Sequence, residues 1–143
     1  CKEIGNKLGS ISTKDCLRQE LLHSNLNTHH NRPLAFKIYP PLAKKKIQGK
    51  ILLIGGIHGD EYSAISILFK WMDKLNQYHS GLFHWKVVPL MNPDGLLHFA
   101  KAQRQNANGV DLNRNFPSTD WDKLAHDYWI NKTKKNENLL GRK

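Results

Sequence analysis

Residues 50–57 carry the run Lys-Ile-Leu-Leu-Ile-Gly-Gly-Ile, and this run sets the narrowest limit on the fold. Four consecutive apolar side chains, Ile51 to Ile54, do not alternate as a half-solvated strand would. They predict a strand at Lys50–Ile57, buried on both faces inside a parallel or mixed sheet. Gly55 and Gly56 let the backbone turn tightly at its end. From about Glu61 to Asn76, apolar residues recur at steps of three and four: Ala64, Ile65, Leu68, Phe69, Met72 and Leu75. That spacing predicts an amphipathic helix. A further strand is expected near Phe83–Leu90. Strand, helix and strand in this order form a crossover unit with parallel strands. The fold class is therefore α/β: a mixed, mostly parallel sheet flanked by helices.

Other elements are expected around this unit. Ser12-Thr13-Lys14-Asp15 has the hydroxyl and acid of a helix start, followed by an apolar face of Leu17, Leu21 and Leu22. His29–Pro33 reads as a loop and Leu34–Tyr39 as a strand. Asn92-Pro93-Asp94-Gly95 reads as a turn. Trp121–Ile130 reads as a helix with Trp121, Leu124, Tyr128 and Trp129 on one face. The 143 residues make one domain, with a core over 31–130 and a polar, basic tail over 131–143. No internal repeat is visible.

Apolar residues make up 39% of the chain, enough for a packed core, and no stretch reaches the ~20 residues a membrane-spanning helix needs. The net charge is +10 with eight histidines neutral. The lysines and arginines are dispersed, apart from Lys44–Lys46 and Lys132–Lys135, and no aromatic-and-basic ladder accompanies them. The reading is no nucleic-acid partner. The N-terminus lacks the apolar stretch of a signal peptide. The first residue is Cys1, read as a fragment boundary, with a lipid-modified N-terminus as the alternative. Compartment stays open on a cytoplasmic lean. Cys16 is expected to be a free thiol, because two cysteines make no disulfide framework.

Two segments carry chemistry. His58 and Glu61 fall where the strongest strand gives way to the helix, the edge at which open α/β sheets bind ligands. Imidazole and carboxylate are both zinc ligands, and three residues of spacing at a helix entry can turn them to one point. Gly59 between them removes a Cβ. Asp60 is read as a helix-start acid or a partner behind the ligands. Asn113 and Arg114 stand side by side in Asn106–Pro117. A guanidinium matches a carboxylate with paired hydrogen bonds, and the amide adds donors. Arg104 lies nearby as a second cation, suited to an oxyanion. Asp111 is read as orienting a guanidinium, or as a turn-forming acid.

Gly55–Glu61, Met91–Gly95 and Asn108–Pro117, in this order, with Asn31-Arg32-Pro33-Leu34 ahead of them, resemble the zinc carboxypeptidase family, the carboxypeptidase A-like metallopeptidases. The resemblance implies a zinc-carboxypeptidase-like (phosphorylase/hydrolase-like) fold and hydrolysis of an amide bond beside a free C-terminal carboxylate. It makes His58 and Glu61 the first two Zn2+ ligands. Arg104 becomes the group that polarises the scissile carbonyl, and Asn113 and Arg114 hold the substrate's carboxylate. The nine residues from Arg104 to Asn113 resemble the small murein peptide amidase branch. That branch cuts γ-D-glutamyl-diaminopimelate bonds, so a murein peptide is an expected partner alongside ordinary peptides. Aspartoacylases and succinylglutamate desuccinylases share part of the pattern, but Asn92–Gly95 and Asn108–Val110 match it less well there. The family's third zinc ligand, a histidine, and its general-base glutamate lie further along than Asn115. Only His126 and Glu137 follow, and neither fits. His126 is read as a helix-surface residue. The resemblance thus implies a truncated chain, inactive alone or a carboxylate-binding remnant, with the pocket for the terminal side chain mostly beyond it.

Overall fold

The run Ile51–Ile54 forms the end of strand β3 (Gly49–Ile54), which lies parallel to β4 (Phe83–Val88), with helix α3 (Tyr62–Tyr78) joining them. The computed structural model describes residues 1–42, 44 and 46–128. Ahead of the crossover unit come α1 (Lys2–Lys7), α2 (Thr13–Leu17), β1 (Leu22–Asn27) and β2 (Pro33–Tyr39). After it come α4 (Pro93–Leu97), a single 3-10 turn (Leu112–Arg114) and α5 (Trp121–Tyr128). The strand order is β1-β2-β4-β3.

The α/β class and the parallel pair agree with expectation, but the sheet is not mostly parallel. Among the described residues, β1–β2 and β2–β4 are antiparallel and only β3–β4 is parallel. A short loop joins β1 to β2, and so short a link permits only an antiparallel pair. Burial of β3 on both faces is also corrected. Leu53 packs with Leu68 and Met72 of α3, but among the described residues β3 stands at the sheet edge, and Leu52, on its other face, is 61% exposed. No described element covers that face of Leu52.

α3 forms as its periodicity requires. Ile65, Leu68, Phe69 and Met72 are buried at steps of three and four. α2 starts with a reciprocal cap: Ser12 Oγ accepts from the Asp15 amide at 3.1 Å, and Asp15 Oδ2 accepts from the Ser12 amide at 3.0 Å. Leu17 and Leu22 do not form the expected apolar face. α2 ends at Leu17, both leucines are exposed, and the buried groups there are Cys16 and Gln19. Gln19 Nε2 donates to Asp73 Oδ1 at 2.6 Å, which satisfies its buried amide. β1 was not expected, because an exposed edge strand with polar side chains has no apolar alternation to show. The Asn92–Gly95 turn is instead the start of α4: Asn92 caps it by accepting from the Gly95 amide at 2.9 Å, and Pro93 sits in its first turn. The tail from residue 129, and the side chains of His126 and Tyr128, lie outside the described residues.

Cys16 is not a free thiol. It is joined to Cys1 by a disulfide that closes a separation of 15 residues, and by loop entropy alone such a link contributes about 3 kcal/mol. The sequence spacing gives no sign of it. It follows from α1 packing back on α2, which puts the two Cα atoms 5.3 Å apart. While that bond is intact, the Cys1 sulfur is not available to carry a lipid.

The Tyr39 hydroxyl donates to the Met72 carbonyl at 3.1 Å beneath α3. Burial, and then the nearby Asp73 charge, push this phenol up to about 12. A folded-state value above the unfolded one means stability that is intact below pH ~10 and is lost as the pH rises through about 12. Ultraviolet titration of the phenolates should therefore show a late transition that Tyr39→Phe removes.

Candidate active site

The site is built where β3 ends. Beyond Ile54 the pairing continues: the Gly55 amide donates to the Val88 carbonyl at 2.9 Å, and the Asn92 amide donates to the Gly56 carbonyl at 2.8 Å. Gly56 has φ +58°, and a Cβ there would sit 2.9 Å from both Ile65 and Leu90. His58 and Glu61 follow at the entry to α3. Gly59 lies between them, but the need for glycine is not access to a ligand. A Cβ at Gly59 would collide with the backbone of Gly95 and Leu96, so this glycine lets α4 lie directly against the His58–Glu61 turn.

His58 is 3% exposed and both of its ring nitrogens are engaged. Nδ1 lies 2.8 Å from Glu61 Oε1, and Nε2 lies 3.0 Å from Asp111 Oδ1. Asp111 is the junction of the site. Its Oδ2 accepts from Arg104 Nε at 2.9 Å and its Oδ1 also accepts from the Asn113 amide at 2.9 Å. Burial pushes its carboxyl up, but the bonds from Arg104, His58 and the Asn113 amide outweigh this and hold it below the usual carboxylate range. A neutral ring with its proton on Nε2 donates to the Asp111 carboxylate. Nδ1 of the neutral ring is then an acceptor pointed at a carboxylate oxygen. Two acceptors at 2.8 Å need a cation between them or beside them, either a second ring proton or a metal ion. The nitrogen and oxygen donors suit zinc, and a carboxylate behind a ligating imidazole is the usual way such a ring is oriented. Among the described residues, however, no group of three or more His, Cys, Asp or Glu is placed to hold a metal.

The other candidates fall close by. Arg104 Nη1 is 3.7 Å from Glu61 Oε1, so this guanidinium borders the half-site while its Nε is tied to Asp111. Asn113 is linked to His58 through Asp111. Arg114 follows it in the same 3-10 turn, with Nη1 donating to the Asn113 carbonyl at 3.0 Å. Asp60 is exposed, and the position behind the imidazole belongs to Asp111. Sequence reasoning missed that role. The available signal was a lone acid between Val110 and Leu112, a place where an acid must be buried and therefore paired. It also missed Asn92, whose Nδ2 donates to the Arg104 carbonyl at 3.2 Å while its Oδ1 caps α4. Asp94 is likewise buried, and it accepts from Thr28 Oγ1 at 2.8 Å and from the His30 amide at 3.2 Å, which pins the β1–β2 loop.

The parallel pair of this α/β sheet thus ends at an imidazole set between two carboxylates. The chain belongs to the zinc carboxypeptidase family, whose model matches residues 22–140. It is 40% identical to murein peptide amidase A of Escherichia coli K12 over 83 residues, which is 58% of this chain and 31% of the amidase. It is 32% identical to carboxypeptidase E of Caenorhabditis elegans over 141 residues, covering 82% of this chain and 29% of the relative. The chain thus spans less than a third of the length of these relatives. Its fold resembles thrombin activatable fibrinolysis inhibitor (TM-score 0.60, 20% identity, 76% of this chain and 32% of that one). It also resembles a metallo-carboxypeptidase from Pseudomonas aeruginosa (TM-score 0.57, 22% identity, 77% and 30%).

Two outcomes test this geometry. Gly59→Ala should destabilise the fold by ~2 kcal/mol or more, because the obstruction is backbone, and urea unfolding measures it. Asp111→Asn should cost about 1–3 kcal/mol at neutral pH. The folded-state value of Asp111 is lowered, so its contribution is present above the ordinary carboxylate value and is lost as the pH falls through the lowered one. The difference in urea midpoint between wild type and Asp111→Asn should therefore shrink in acid.

Proposed function

We propose that this chain carries the metal-binding and carboxylate-binding part of a metallocarboxypeptidase, an enzyme that hydrolyses the amide bond next to a free C-terminal carboxylate. The observation that carries this reading is the doubly engaged His58: Nε2 fixed by Asp111 and Nδ1 aimed at the Glu61 carboxylate. His58 and Glu61 would hold Zn2+. A bound zinc ion supplies Lewis-acid polarisation of the carbonyl and acidifies a water toward pKa ~7. Asp111 keeps the ring proton on Nε2 and so keeps Nδ1 free to bind. Arg104, held at Nε by the same carboxylate, offers its outer N–H groups to the carbonyl oxygen as negative charge develops on it. Asn113 and Arg114 grip the terminal carboxylate and set the register of the peptide. Family membership supports zinc and C-terminal peptide substrates. The similarity to murein peptide amidase A adds murein peptides as a second substrate class.

A second reading, a carboxylate-binding module without turnover, is favoured by the two-donor metal site among the described residues. Calorimetric titration with zinc separates the outcomes. With two protein ligands, binding should be one-to-one and weaker than micromolar, and His58→Ala and Glu61→Gln should each abolish it. Sub-micromolar affinity would mean that the chain supplies a third ligand. No binding at millimolar zinc, or binding unaffected by either substitution, would remove the metal from this site.

A further inference from the structure

A cavity of about 490 Å³ lies between α1 and α2 on one side and β2 and α4 on the other. Its lining is separate from His58, Glu61, Arg104, Asn113 and Arg114. Ile4, Cys16 and Leu21 close one side, and Leu90, Pro93 and Leu97 close the other. The first three lie ahead of the segment that matches the family, and the Cys1–Cys16 disulfide is part of their wall. Cavities that take whole small molecules run from about 300 to 1,000 Å³.

Three charged side chains, Glu3, Glu20 and Arg32, share the lining. Arg32 Nη1 donates to Glu3 Oε2 at 2.6 Å. Its Nε is buried without a hydrogen-bond partner among the described residues and stops 3.6 Å from Asp94 Oδ1. The Glu3 side chain is 59% exposed, so its pair with Arg32 is weak and open to exchange. The Cys1 α-ammonium also acts on Glu3, less strongly than Arg32. Glu20 is exposed, with φ +53°, and its carboxylate has no hydrogen bond or ion pair among the described residues. A carboxylate left without a bonded counter-ion beside an apolar wall selects a cation with a hydrocarbon body. A neutral ligand would take water from Glu20 and return no partner, and an anionic one would be repelled by Glu3 and Glu20.

We propose that this cavity binds a small amphipathic ammonium ion, with its hydrocarbon body between the two apolar walls and its N–H groups on Glu20 and Glu3. An ammonium has three donors, enough for both carboxylates. Burying the body removes its surface, and that of the leucines it touches, from water. Drawing Glu3 off Nη1 frees the guanidinium to close its gap to Asp94, and the buried Nε then gains an acceptor. Asp94 already accepts from Thr28 and from the His30 amide, and a carboxylate has lone pairs for a further bond. Binding therefore reaches the residue that pins the β1–β2 loop.

Carbon- and nitrogen-edited NMR on the intact chain at neutral pH tests this. The probe is 2-phenylethylammonium, and the controls are 2-phenylethanol, phenylacetate and ethylammonium. The probe should shift the Leu21 and Leu97 methyl signals and bind about tenfold more tightly than each control. The Arg32 Nε–H signal should move downfield as it gains its acceptor. Glu20→Gln changes an exposed side chain without altering its size, so the variant folds, and it should weaken binding about tenfold. Glu61→Gln should leave the affinity unchanged, because that carboxylate lies outside the cavity. Equal binding of the amine and the alcohol, or binding that Glu20→Gln does not weaken, would overturn the proposal. So would loss of binding in Glu61→Gln, methyl shifts confined to residues away from the cavity, an Arg32 signal that stays in place, or no binding at millimolar probe.

Discussion

The Asp111 carboxylate ties together three parts of the chain that share no secondary structure. His58 comes from the turn after β3, Arg104 from the loop after α4, and Asn113 from the 3-10 turn, and each is hydrogen-bonded to one of its two oxygens. The carboxylate is buried, so each of these bonds replaces a water contact it has lost, and removing one leaves an unpaid desolvation cost. The imidazole can face Glu61 only because its other nitrogen is held, and the guanidinium can face outward only because its Nε is held. Orientation of the candidate ligand and of the candidate oxyanion group therefore depend on a single side chain that touches neither metal nor substrate in the proposed scheme.

Around that junction the scaffold is set by contacts too close for any side chain. Gly59 lies on the backbone of Gly95 and Leu96, and Asn92 links Gly56, Gly95 and Arg104 through its amide nitrogen, side-chain oxygen and side-chain nitrogen. A shift of α4 would thus reach both the His58–Glu61 turn and Arg104. The Asn92–Gly95 segment acts as a rigid spacer between the two halves of the site, and Asp94 extends the same rigidity to the β1–β2 loop.

Much of this was legible in the residues. The β3–α3–β4 unit followed from one apolar run and one 3.6-residue period, and these signals are strong because they reflect burial over many positions. His58, Glu61 and Arg104 were named from side-chain chemistry and position, and the structure brings them together. What escaped was whatever depended on partners distant in sequence. Asp111 was read as orienting a guanidinium, as it does for Arg104, or as a turn-forming acid, but its bond to an imidazole 53 residues away was not legible. Leu52 looked buried because a run of apolar residues does not say which strand stands at the edge. β1 has polar, exposed side chains and pairs only through its backbone. The disulfide required knowing how two short helices pack.

That sulfur–sulfur link has a consequence for the N-terminal segment. Ile4 and Leu8 join the same apolar cluster as Leu96 of α4, and Lys7 Nζ donates to the Phe99 and Ala100 carbonyls just beyond it. The covalent ring between residues 1 and 16 thus clasps the first helix onto the element that braces the His58 turn. Under a reductant the clasp opens, and only those weaker contacts remain to keep the first helix seated. The firmness of the scaffold beneath the imidazole is in this way tied to the redox poise of the surroundings.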